Sequence, residues 1–219
     1  MIEAVIFDLD GVLIDSVPAA RRMRTKVLAD YGVDLQAIPD PMNEQHRGSS
    51  AKDLLAAVKK HTGMHIDLET YGQRGVQLIE EDLLASGASA DPELLTFLRD
   101  LKDHGVPLAI ASSGLRPTVL MKLKLLNIAD YFKIVVTANE ATKHKPDPEA
   151  YERAATGLGV VTSNCIAFED STAGATSAVA AGCKVIGFTK YNPTQEALPG
   201  TVLNIQDWAA INYEKLQQV

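Results

Sequence analysis

The stretch Ala4–Asp15, AVIFDLDGVLID, decides how the chain is read. Ala4, Val5, Ile6 and Phe7 form a short apolar run rich in β-branched and aromatic residues, the pattern of a strand buried on both faces of a parallel sheet. The run stops at Asp8, and Asp10 and Gly11 follow. If the chain stays extended, residues two apart point the same way and both carboxylates enter one crevice. Carboxylates that close repel each other, and a cation between them or a proton kept on one relieves the repulsion. Gly11 permits a turn that a side chain would forbid. Asp-Gly is also an ordinary turn signal, so this stretch alone leaves a simple strand cap open.

The totals narrow the classes. A chain of 219 residues can bury a sizeable core, as one large domain or two small ones. Apolar content of 46% with 22% charged residues is ordinary for a soluble globular protein. A formal charge of −7 argues against nucleic acid or an anionic membrane as partner. No apolar run approaches the roughly 20 residues of a membrane span, and the first residues lack the pattern of a secretory signal. Cys165 and Cys183 show no CxxC spacing and read as buried free thiols of a reducing compartment, so a cytoplasmic location is expected.

From Val17 to about Gly87 the pattern is helical. Ser16 and Pro18 can open a first helix that Gly32 closes; further helices are expected over Ser50–His61 and Asp67–Leu84. A helical block of this length directly after a first strand reads as a separate small unit rather than a loop. The expected boundaries are a core of residues 1–15 plus 88–219 and a helical domain of 16–87. From Asp91 onward helices and strands alternate, with strands at Val106–Ala111, Ile134–Val136, Cys165–Phe168 and Val185–Phe188 and a helical tail from Gln206. That alternation predicts an α/β fold, a doubly wound parallel sheet with helices on both faces.

In such sheets ligands bind beyond the carboxyl ends of the strands. Polar residues recur there: Asp8 and Asp10; Ser112, Ser113 and Gly114; Lys143, His144 and Lys145; Glu169, Asp170 and Ser171. Carboxylate oxygen suits a hard divalent cation, a Ser-Gly turn opening a helix offers donors to phosphate oxygens, and lysine supplies a compact counter-charge. Individually each has a bland alternative. Ser112 can be a helix cap, the lysine cluster a solvated loop, and Glu169 a neighbour of the site.

The ordered set DLDG (Asp8–Gly11), ASSG (Ala111–Gly114), KPDP (Lys145–Pro148) and EDS (Glu169–Ser171) resembles the haloacid-dehalogenase superfamily of phosphatases. The resemblance covers essentially the whole chain and is to the branch with β-phosphoglucomutase and small sugar-phosphate phosphatases. It implies a Rossmann-like core with a helical cap inserted after the first motif. It also implies that Asp8 is the nucleophile, forming an aspartyl-phosphate, and that Asp10 is general acid and then general base. Ser112 would hold a phosphate oxygen, with Gly11, Ser113 and Gly114 lining the substrate, and Lys145 would neutralise the phosphate and orient Asp8. Mg²⁺ would sit on Asp8, the Asp10 carbonyl and Asp170, with Glu169 a ligand through water or a neighbour. Mg²⁺ and Lys145 should keep Asp8 ionised, while Asp10 carries a proton. Lys143 reads as surface and His144 stays unassigned.

The expected substrate is a small phosphorylated metabolite, hydrolysed by a monomer. A phosphomutase is the alternative, but two departures count against it. The histidine that mutases carry in a D[ST]xxxH pattern is absent after Asp15-Ser16, and Ala51 stands where their arginine follows a Gly-x-Ser turn. Arg47 and Lys52 are the candidates for substrate selection by the cap. An inactive, phosphate-binding regulatory module is the alternative of another class, disfavoured by the intact motifs; dehalogenation would require neither Asp10 nor magnesium.

Overall fold

The computed structural model describes residues 2–38, 50–192 and 196–219. The first strand, β1 (Ala4–Phe7), is followed by three helices, α1 (Val17–Asp30), α2 (Ala51–Thr62) and α3 (Leu68–Ala85). Alternation then begins: α4 (Pro92–Asp103), β2 (Leu108–Ala111), α5 (Arg116–Leu125), β3 (Phe132–Val136), α6 (Glu149–Leu158), β4 (Cys165–Glu169), α7 (Thr172–Ala180) and β5 (Lys184–Phe188). A short strand β6 (Leu203–Ile205) and helix α8 (Tyr213–Gln218) complete it.

The sheet order is β3-β2-β1-β4-β5-β6 and every pairing is parallel. Strand order therefore reverses at β1, where such sheets bind their ligands. The pairing of Phe7 with Phe168 sets Asp8 beside Glu169, and the Asp8 amide donates to the Phe168 carbonyl at 3.0 Å.

Period-two alternation sorts side chains by size. One face carries Val5, Phe7, Ile110, Ile166 and Phe168, where Phe7 stacks on Phe168 at 5.0 Å. The other carries Ala4, Ala109, Ala111 and Ala167, against which the alanines of α6 and α7 pack. Small residues on both sides bring those two helices close to the sheet. The apolar cluster of the large-residue face continues without a break into Leu54, Val58, Ile79 and Leu83 of the inserted helices. Local signals explain these helices: α2 starts on a reciprocal Ser50–Asp53 capping box, and Asp67 caps α3 at Thr70.

Strand β6 falls outside the sequence expectations, and the expected long helical tail shortens to α8. Three residues with Asn204 at the centre carry no strand pattern; the pairing with β5 alone makes them one.

Candidate active site

β1 delivers Asp8 to the strand tips, 7% exposed. Its Oδ1 accepts a hydrogen bond from Lys145 Nζ at 2.6 Å. The same ammonium donates to the Ala111 carbonyl at 2.9 Å, to Glu169 Oε1 at 2.5 Å and to the Tyr151 hydroxyl at 3.3 Å. Three strand tips and the turn before α6 thus meet on one nitrogen. Asp8 and Glu169 together outweigh the burial that would lower Lys145, so the lysine titrates above its ordinary range.

The Asp8–Asp10 pair is not two carboxylates in one extended crevice. After Asp8 the chain curls, with the amides of Val12, Leu13 and Ile14 turned onto the Leu9 carbonyl. The Asp10 carboxylate goes to a different cation: its Oδ1 accepts from Lys122 Nζ and from Ser16 Oγ. Each acid therefore has its own lysine.

Burial and neighbouring charge act differently on the two acids. Burial pushes Asp8 up to about 7, with Lys145 pulling it down and the Glu169 and Asp10 carboxylates pushing it further up. Lys145 alone does not keep it fully ionised. For Asp10, burial opposes ionisation, but Lys122, Ser16 and Arg24 outweigh it and hold the carboxyl below its usual value.

Ser112 is 3% exposed and its Oγ accepts the Gly114 amide at 3.0 Å; the Gly114 carbonyl in turn accepts from Ala138 at 3.0 Å. Ser113 is half-buried beside it. Ser112 is not the cap of α5, whose N-cap is Leu115 without a side-chain bond. Asp170 is buried, and a Cβ at Gly11, where φ is +87°, would run into its carboxylate. Only glycine allows the first loop to lie against Asp170.

Both oxygens of Glu169 accept hydrogen bonds from protein groups. Its Oε1 takes Lys145 and, at 2.6 Å, Tyr151; its Oε2 accepts the amides of Asp170 and Ser171 at 3.0 and 3.3 Å and the Ser171 hydroxyl at 3.2 Å. Lys52 reaches across from α2. Its ammonium donates to the Ala138 carbonyl at 2.9 Å, tying α2 to the loop after β3. Arg47 lies outside the described residues. Lys143 is exposed and pairs with Asp147 at 3.3 Å, as a surface residue would. Cys165 and Cys183 are free and buried.

Four acidic side chains, Asp8, Asp10, Glu169 and Asp170, gather at the strand tips, where the lysines bonded to them are Lys122 and Lys145 and acids outnumber lysines. That imbalance and the all-oxygen donor set of Asp8, Asp170 and the Asp10 carbonyl fit a hard divalent cation. Among the described residues no three His, Cys, Asp or Glu side chains gather as a metal-holding group. Mg²⁺ does not need one, since it takes one or two carboxylates and completes its shell with carbonyls and water.

The profile of the haloacid dehalogenase-like hydrolases matches residues 5–188. The chain belongs to that family. Among similar proteins, hexitol phosphatase A of Escherichia coli (strain K12) is 29% identical over 83% of this chain and 80% of its own. Protein CbbY of Rhodobacter capsulatus is 31% identical over 84% of each chain. The crystal structure of β-phosphoglucomutase from Clostridium difficile superposes with a TM-score of 0.80 at 24% identity, covering 100% of this chain and 96% of that one; at that identity it speaks for the fold alone. This haloacid dehalogenase-like hydrolase shares the Rossmann-like parallel-sheet fold of that structure. Among the described residues no helix is long and apolar enough to cross a membrane.

Proposed function

We propose that this hydrolase cleaves a small phosphomonoester, of sugar-phosphate type, with Mg²⁺ as cofactor and Asp8 as the nucleophile. The observation that carries the reading is the single ammonium of Lys145, bonded at once to Asp8, the Ala111 carbonyl and Glu169. A phosphoryl group docked between Asp8 and the Ser112–Gly114 turn would meet that charge where negative charge develops.

Asp8 attacks phosphorus, its oxygen–phosphorus bond forming as the ester bond breaks. Asp10 gives a proton to the departing alkoxide and then takes one from the water that releases phosphate. Lys145 and the Ser112 hydroxyl balance the equatorial oxygens. Asp8, Asp170 and the Asp10 carbonyl would hold Mg²⁺, which supplies charge neutralisation on the phosphoryl oxygens and brings Asp8 back to its ionised form. The helices of residues 16–87 would act as the cap that selects the alcohol and shuts out water.

The relative named hexitol phosphatase A supports a sugar-phosphate substrate. A mutase must also grip a second phosphate, and Ala51 stands where mutases carry an arginine for that purpose. The deciding experiment is a screen of phosphorylated metabolites with Mg²⁺, with and without a sugar bisphosphate primer. Phosphate release independent of primer is the expected result. Isomerised sugar phosphate appearing only with primer would replace hydrolase by mutase, and no turnover of any ester would leave a binding module.

A further inference from the structure

Lys122 belongs to none of the four motifs, yet it is the most buried charged side chain of α5, 2% exposed. It shares the inward face of that helix with Thr118, Val119 and Leu123. A lysine in such company persists only with a charged partner. The partner is Asp10, through Oδ1, and Lys122 Nζ also lies 3.3 Å from the Ser16 hydroxyl that donates to the same oxygen. One oxygen of Asp10 is therefore fixed twice. The other, Oδ2, turns toward the Ser112–Gly114 turn, 3.8 Å from the point a Cβ would occupy at Gly114.

We propose that Lys122 is a positioning residue for the general acid, anchoring Asp10 Oδ1 so that Oδ2 is the oxygen presented to the ester. The idea rests on the hydrolase reading above. In the first half-reaction the Oδ2 proton passes to the leaving alkoxide while the Asp8–phosphorus bond forms and the phosphorus–alkoxide bond breaks. Positioning of this kind matters in proportion to how badly the leaving group needs the proton. It differs from a purely structural ion pair, which would affect all esters alike.

The test measures kcat/KM, which reports the first chemical half, for glycerol 2-phosphate and p-nitrophenyl phosphate. It uses the wild type, Lys122→Met, Lys122→Arg, Asp10→Asn and the double variant Asp10→Asn/Lys122→Met. Lys122→Met should lose about 10- to 100-fold on the alkyl ester and under about 3-fold on the aryl ester, with partial rescue in Lys122→Arg. In the Asp10→Asn background the same change should cost nothing further on the alkyl ester, because the two residues act as one unit. Equal losses on both esters, no loss on either, or full additivity with Asp10→Asn would overturn the proposal. Should Lys122→Met fail to fold, Lys122→Gln, which keeps a donor without the charge, is read on the same two esters and by the same criteria. The hydrolase reading fails separately: the wild type would then release phosphate from neither ester, whereas an Asp10→Asn loss equal on both esters would overturn the general-acid role and this inference with it.

Discussion

Glu169 accepts a 2.5 Å hydrogen bond from the Lys145 ammonium while that ammonium also donates to Asp8 at 2.6 Å, so the acid that supports the lysine and the acid that would react share one cation. Neither Lys145 nor Glu169 has meaningful solvent access, at 2% and 0% side-chain exposure. Removing one partner of a buried pair leaves an uncompensated charge, and Glu169 also satisfies two amides. Glu169→Ala is therefore expected to cost about 3–5 kcal/mol in urea unfolding, and Glu169→Gln less, since it keeps hydrogen bonding. Wild-type stability in Glu169→Ala would mean the network is incidental.

Asp8→Asn should lower turnover of every phosphomonoester by about 10³-fold or more, because the attacking oxygen is lost. EDTA should silence the wild type, and added Mg²⁺ should restore it. Retained activity in the variant would eliminate the covalent route; activity in EDTA would eliminate the metal.

Two glycines are expected to resist enlargement for different reasons. A Cβ at Gly174 meets the Glu169 carboxylate at ordinary helical φ, so Gly174→Ala pushes that carboxylate aside without straining the backbone, at about 1–3 kcal/mol. At Gly11 the same collision, with Asp170, is joined by a left-handed backbone that adds about 1–2 kcal/mol. Urea midpoints should rank Gly11→Ala below Gly174→Ala, and the reverse order would remove the backbone argument.

Glu149 offers a pH test outside the strand tips. The Lys143 amide, then the hydroxyl and amide of Thr142, with Arg153 beside them, bring its carboxyl down to about 2. A depressed acid stabilises the fold above its unfolded value near 4.3 and loses that contribution as pH falls toward the folded one. The Tm gap between wild type and Glu149→Gln should be full at pH 6 and shrink between about pH 4.3 and 2. A gap that is constant through this window would contradict the assignment.

The strand tips were legible because each apolar run ends abruptly in polar residues, a contrast that needs no tertiary knowledge at Asp8, Ser112 or Glu169. Lys122 was not. Beside Lys124 on a mixed helix it reads as solvated charge, and only its place with Thr118, Val119 and Leu123 hinted that it turns inward. Nothing in the sequence singles out Tyr151, whose hydroxyl touches both Lys145 and Glu169. Which lysine each of Asp8 and Asp10 meets was hidden for the same reason, since those partners lie 137 and 112 residues away.

The alanine-lined side of the sheet sets a limit on how this enzyme could change. Where Ala109, Ala111 and Ala167 meet Ala150, Ala154 and Ala178, there is no slack for a larger side chain, and Tyr151, Lys145 and Ser171 are borne by the segments lying there. A new specificity cannot be carved from that wall without dragging the reactive groups out of line, so diversification has to come from the helices on the opposite flank.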